Sequence, residues 1–119
     1  METGQFSLSL AVKDMQKSLT FYSLFGFKVI GGGHLDEGFP DTETTRWRIL
    51  SREEVTIGLF EGMFEKNIMT FNPSDVRSIQ RELKQAGVEL LVEADENITG
   101  PAHIVLEDPD GNQLMFDQW

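Results

Sequence analysis

The chain states one pattern twice. Asp14 and Gly26 stand twelve positions apart, as do Asp75 and Gly87, and each pair brackets a helix-like stretch between two apolar, strand-like runs. The two copies are offset by 61 residues within a chain of 119. A repeated strand-helix-strand unit restricts the architecture before any other feature is weighed, because repeated units pack against their like. The first copy reads as a strand over 6–12, a helix over 14–25 and a strand over 27–30. The second reads as a strand over 68–71, a helix over 75–86 and a strand over 88–92.

Local chemistry supports both helices. Asp14 is a good N-cap, Met15, Leu19, Tyr22 and Phe25 recur at about one turn, and Gly26 supplies a stop. Ser74 or Asp75 caps the second helix, Val76, Ile79, Leu83 and Ala86 form its stripe, and Gly87 ends it. In 6–10 every second residue is strongly apolar, so one face packs on a helix while Ser7 and Ser9 look the other way. Further strands are expected over 45–50 and 55–60, joined at 51–54, and over 102–107 and 113–116. The last two flank Asp108-Pro109-Asp110-Gly111, where proline presets a turn and glycine can take positive φ.

The resulting expectation is an α+β fold of two tandem βαβββ modules, about 5–61 and 66–119, in a single domain spanning 1–119. Residues 31–43 and 94–101 stay irregular and read either as flaps over a site or as solvated loops. The length suffices for a core without metal or disulfide staples. There is no cysteine, which excludes thiolate metal sites, disulfides and cysteine nucleophiles. Twenty acidic against ten basic side chains give a net charge of −10, which repels nucleic acid and anionic membrane surfaces. No apolar run approaches the roughly 20 residues a bilayer requires, and Met1-Glu2-Thr3 does not open a signal peptide, so a cytoplasmic protein is expected.

Leu10-Ala11-Val12-Lys13-Asp14, then Ser18-Leu19-Thr20-Phe21-Tyr22, Phe25-Gly26-Phe27 and the terminal Asp108-Pro109-Asp110-Gly111-Asn112 together resemble the vicinal oxygen chelate superfamily. That group holds glyoxalase I, extradiol dioxygenases, fosfomycin-resistance enzymes, methylmalonyl-CoA epimerase and bleomycin-resistance proteins. The resemblance covers essentially the whole chain. It implies βαβββ modules whose mixed sheets curl around a concave cavity, commonly shared between the subunits of a homodimer. It also implies, for the enzymes, one divalent metal held by histidine and glutamate. The positions matching those ligands carry Ser7, Gly58, Ile68 and Met115, none of which replaces an imidazole or carboxylate on such an ion. No metal and no other cofactor is therefore expected.

Strand parity describes the face that remains. Ser7 and Ser9 share it on the first strand, Thr56, Gly58 and Phe60 on the fourth, Ile68, Thr70 and Asn72 on the fifth, and Gln113, Met115 and Asp117 on the last. Ile104 and Leu106 suit the helix side, which leaves His103, Val105 and Glu107 on the cavity side, matching substrate-contact positions of the similar fosfomycin-resistance enzymes. Trp47 falls with Ile49. The expected ligand-binding set is Ser7, Ser9, Trp47, Phe60, Thr70, His103 and Met115, with Trp47 the main apolar contact and His103 the main polar one.

Each assignment has a plainer counterpart. His103 can instead bond within the sheet, and Met115 and Phe60 can be core filler. His34 reads as exposed, Arg46 and Arg48 as surface ion pairs, and Gly31-Gly32-Gly33 lacks the lysine and hydroxyl of a phosphate loop. Two functions survive. The first is metal-independent binding of a small organic ligand, on the plan of the bleomycin-resistance proteins. The second is a lyase, isomerase or dioxygenase with a displaced site, using His103 with Glu107 or Glu61.

Overall fold

A computed structural model describes all residues, Met1–Trp119. The elements run β1 (Gln5–Val12), α1 (Met15–Ser23), β2 (Lys28–Gly32), β3 (Arg46–Arg52), β4 (Val55–Glu61), β5 (Ile68–Asn72), α2 (Val76–Gln85), β6 (Ala102–Glu107) and β7 (Gln113–Gln118). The fold is α+β, with both parallel and antiparallel pairing, as the repeat predicts. Two compact units divide the chain: Ser7–Asn67, and Ile68–Trp119 together with Met1–Phe6.

The repeat extends to individual hydrogen bonds. Asp14 accepts from the Lys17 amide at 3.1 Å, and Asp75 accepts from the Ser78 amide at 3.1 Å, at positions related by the same 61-residue offset. The closures match too: Phe27 N–H bonds the Tyr22 carbonyl at 3.4 Å and Val88 N–H bonds the Leu83 carbonyl at 3.0 Å. Gly26 and Gly87 make this return possible at φ +90° and +82°, a left-handed conformation that a Cβ would resist. A third equivalence is invisible in the repeat. The first helical amide of α1, on Met15, bonds Glu61 at 2.7 Å, and that of α2, on Val76, bonds Gln118 at 2.9 Å. In each module the far end of a strand thus satisfies an orphan donor of the helix it covers.

In unit 7–67 the strand order is β2-β3-β4-β1. β1 pairs with β4 in parallel, Leu8 facing Ile57 and Leu10 facing Leu59, while β3 pairs antiparallel with both β4 and β2. Its core is Met15, Leu50, Ile57 and Leu59, with Leu8, Leu10, Leu19 and Tyr22 packed on it. This arrangement fixes one sheet face against α1. In the other unit the order is β5-β7-β6, with β5 and β7 parallel and β6 and β7 antiparallel. Val76, Ile79, Ile104, Leu106 and Phe116 form its core. The hairpin between β6 and β7 closes as expected, with Gly111 at φ +87° and Asp108 accepting from Asn112 through both its backbone and side-chain N–H groups, each at 2.8 Å.

One expected element is reduced. The strand predicted over 88–92 amounts to a single bridge, Val92 to Val105. Beyond that bridge, polar side chains of α2 hold the backbone. Gln80 Oε1 accepts from Ala94 N–H at 2.8 Å and its Nε2 donates to the Ala94 carbonyl at 3.0 Å. Arg77 donates to the carbonyls of Asp95 at 2.8 Å and Gly100 at 2.9 Å. Both side chains are buried, and the segment after Val92 follows the helix rather than β6.

Candidate functional site

Each unit presents a sheet face opposite its helix. In unit 7–67, burial of Leu8, Leu10, Leu50, Ile57 and Leu59 against α1 turns the alternate residues the other way. Ser7 and Ser9 on β1, Thr56, Gly58 and Phe60 on β4, and Trp47, Ile49 and Ser51 on β3 therefore share one face. The register aligns Trp47 with Phe60, Ile49 with Gly58 and Ser9 with Gly58.

Four aromatic rings meet there. Trp47 and Phe60 are stacked, their planes 5° apart and centroids 6.3 Å apart. Phe39 meets Trp47 edge-on at 5.9 Å, and Phe64 lies 5.1 Å from Phe60. Trp47 is held at its polar end, since its indole N–H donates to the Phe39 carbonyl at 2.8 Å. The loop that carries Phe39 is fixed in turn by Asp41, whose carboxylate pairs with the Arg48 guanidinium at 2.8 Å. The hydrogen bond from Arg48 holds the Asp41 carboxyl below its usual range. Gly33 is a steric requirement of this clasp: a Cβ there would stand 2.1 Å from Asp41 Oδ1 and 2.8 Å from Trp47 Nε1. The 31–43 segment is thus an ordered strap that seats Phe39 on Trp47, with His34 exposed on it.

Ile104 and Leu106 lie in the core of the other unit, so His103, Val105 and Glu107 face away from α2. Across the ladder His103 stands opposite Asp117, Val105 opposite Met115 and Glu107 opposite Gln113, while Thr70 pairs with Met115 from β5. Burial pushes the Asp117 carboxyl above its usual value, and His103 partly offsets this by attraction. Strand parity puts Asp117 on this face, outside the expected ligand-binding set. Its burial depends on neighbours that a sequence does not rank.

The predicted residues thus fall into two groups. Ser7, Ser9, Trp47 and Phe60 share one face, with Trp47 and Phe60 in ring contact; Thr70, His103 and Met115 share the other, with Thr70 and Met115 paired. Glu61 and Glu107 part company. Glu107 lies on the His103 face, whereas Glu61 lies on the helix side, where one oxygen caps α1 and the other pairs with Arg46 at 2.8 Å. That structural duty removes Glu61 from the aromatic face. Arg46 and Arg48 are both engaged in ion pairs. Phe39 and Phe64 went unrecognised in the sequence because they sit in irregular segments where periodicity carries no information.

The residues do not fit the divalent metal of the related enzymes. No three His, Cys, Asp or Glu side chains group as ligands anywhere in the chain. At Gly58 the local packing adds a second obstacle: a Cβ would stand 2.5 Å from the Phe60 ring, so a side chain there must displace that ring.

Two related modules, βαβββ and a βαββ copy whose extra strand is reduced to one bridge, each a helix on a mixed sheet, define a repeat protein of the α+β class. The chain belongs to the Glyoxalase/Bleomycin resistance protein/Dioxygenase superfamily, whose family model matches residues 4–116. Similar solved structures include the hypothetical protein BH1468 from Bacillus halodurans C-125, at 17% identity over 97% of this chain and 94% of that one, with a TM-score of 0.72. Methylmalonyl-CoA epimerase from Mycobacterium tuberculosis is 16% identical over 98% of this chain and 88% of its own, with a TM-score of 0.71. A glyoxalase/bleomycin resistance protein/dioxygenase superfamily member from Vibrio splendidus 12B01 is 18% identical over 97% and 98%, with a TM-score of 0.65. At such identities the likeness is one of fold. No curated protein matches significantly, and no helix is long and apolar enough to cross a membrane.

Proposed function

We propose that this chain is a single-domain, cytoplasmic small-molecule binding protein that takes an organic ligand without the metal of its enzymatic relatives. The observation that carries the reading is the Trp47 and Phe60 stack, flanked by Phe39 and Phe64. Such a surface suits a ligand with a flat or apolar body, and the hydroxyls of Ser7 and Thr56 on the same face suit a few polar atoms, whereas Ser9 is buried at 2% exposure. His103 and Met115 supply a second surface of mixed polarity, with Thr70 beside them buried at 6% exposure. A homodimer accords with the habits of the superfamily, and sedimentation at micromolar concentration showing monomer alone would count against it. The binding reading is tested by a thermal-shift ligand screen followed by calorimetry on the native protein and on Trp47→Ala and His103→Ala. If hits bind with affinities that neither substitution alters, the assigned faces are wrong.

A second reading, a lyase, isomerase or dioxygenase, draws on the rung that sets His103 against the half-buried Asp117, with Glu107 on the same face. An imidazole beside a carboxyl of raised pKa is suited to proton transfer. Turnover that His103→Ala abolishes while the fold persists would favour this reading over pure binding.

A further inference from the structure

The helix side of unit 7–67 carries a second concavity, on the sheet face opposite Trp47 and Phe60. It is an open groove of about 530 Å³ between the end of α1 and the turn joining β3 to β4, lined by Phe21, Tyr22, Phe25, Phe27, Val55 and Arg52. That volume lies within the range of small-molecule sites, roughly 300 to 1,000 Å³. Its walls hold one another in place: Phe21 meets Tyr22 and Phe25 edge-on at 5.2 Å each, and Tyr22 meets Phe27 at 6.0 Å. Even so, Phe21, Phe25 and Val55 remain 52%, 54% and 51% exposed. Contiguous apolar exposure of this kind marks a surface that meets something.

Arg52 makes the groove selective. Its stem lies across Gly26, where an added Cβ would stand 3.2 Å from Nε, so the side chain packs closely on the glycine that ends α1. The guanidinium makes no hydrogen bond within the protein, and its one ionic neighbour, Glu53, lies 3.7 Å away, beyond hydrogen-bonding reach. A planar fork of N–H donors at the rim of an aromatic groove matches a carboxylate or sulfonate on an apolar body. Glu53 and Glu54 beside it, in a chain of net charge −10, disfavour polyanions such as a diphosphate.

We propose that this groove binds a singly charged amphipathic anion, an aromatic or acyl body with one carboxylate or sulfonate, its apolar part on Phe21, Phe25 and Val55 and its charge on Arg52. The site is independent of the binding reading given above. Its test uses two fluorescent probes with nearly the same rings: anilinonaphthalene sulfonate, which carries the charge, and phenylnaphthylamine, which does not. The sulfonate is expected to bind saturably in this groove, and Arg52→Gln to weaken that binding roughly five- to tenfold without changing phenylnaphthylamine. Val55→Asp, at an exposed position, should weaken the sulfonate further by occupying Arg52, and Trp47→Ala should alter neither probe at this site. The proposal is overturned if the sulfonate shows no saturable binding, if Arg52→Gln leaves its affinity unchanged, or if Trp47→Ala abolishes it. Self-association that protects Phe21 and Phe25 and excludes both probes would overturn it as well, by assigning the groove to a second copy of the chain.

Discussion

Replacing Gln80 by leucine isolates the device that diverts the chain after Val92. Gln80 is fully buried and makes three hydrogen bonds, two of them to the amide and carbonyl of Ala94 and one to the Glu96 carboxylate at 2.9 Å. Leucine matches its volume, so no cavity forms, but the Ala94 backbone loses both partners at a site only 8% exposed. At about 2 kcal/mol for each of the two stranded groups, the middle of the usual range, and an offset of about 1.5–2 kcal/mol from burying leucine, the net loss is about 2–3 kcal/mol. For a domain of this size that corresponds to a fall of roughly 8–12 °C in Tm. Gln80→Glu should be worse than leucine, since it removes the donor and sets a buried carboxylate against Glu96. Urea unfolding gives the magnitude, and hydrogen exchange at the Ala94 amide locates it. A loss below about 1 kcal/mol with Ala94 protection intact would show that the side chain does not hold this segment.

Glu61→Gln should cost only about 0.5–1 kcal/mol, because glutamine still accepts from the Met15 amide, as Gln118 does for Val76, and forfeits only an exposed pair with Arg46. Glu61→Leu should cost about 1–2 kcal/mol more, and equal losses in the two variants by urea unfolding would remove the capping role. Asp117→Asn should stabilise the protein at pH 7. A carboxyl whose folded pKa is raised is penalised as pH climbs from its unfolded value of 3.8 through the folded one, so the gain should vanish below that range in pH-dependent unfolding. The opposite sign holds for Asp41: its lowered pKa contributes stability above 3.8 that is lost as pH falls through the folded value, and Asp41→Asn should remove that part of the acid transition.

Much of the fold was legible because it rests on local chemistry. The Asp14 and Asp75 caps, the Gly26 and Gly87 stops and the Asp108 to Gly111 turn each act within a few residues, where sequence spacing and physical distance coincide. Strand parity likewise placed Trp47, Phe60 and His103 away from the helices, since a two-residue period admits only two faces. What escaped depends on long-range polar partners. Residues 88–92 have the apolar, β-branched character of a strand, and nothing in them reveals that Gln80 and Arg77 claim the backbone just beyond. The Glu61 carboxylate could be read as a catalytic candidate because its attachment to the Met15 amide spans 46 positions in the chain. Phe39 and Phe64 join the aromatic face through the Asp41 to Arg48 clasp and through loop geometry, and Arg52 lies against Gly26 across a gap of 26 positions.

Ligand binding on the Trp47 face without a metal is tested most directly by calorimetric titration with the tightest hit of a thermal-shift screen, on protein before and after exhaustive chelation, beside Trp47→Ala. Stacking on a tryptophan contributes on the order of 1 kcal/mol or more. The predicted result is one affinity for the native and chelated protein, weakened roughly fivefold or more by Trp47→Ala. Binding that disappears on chelation, returns with zinc, nickel or manganese and ignores Trp47→Ala would contradict the account.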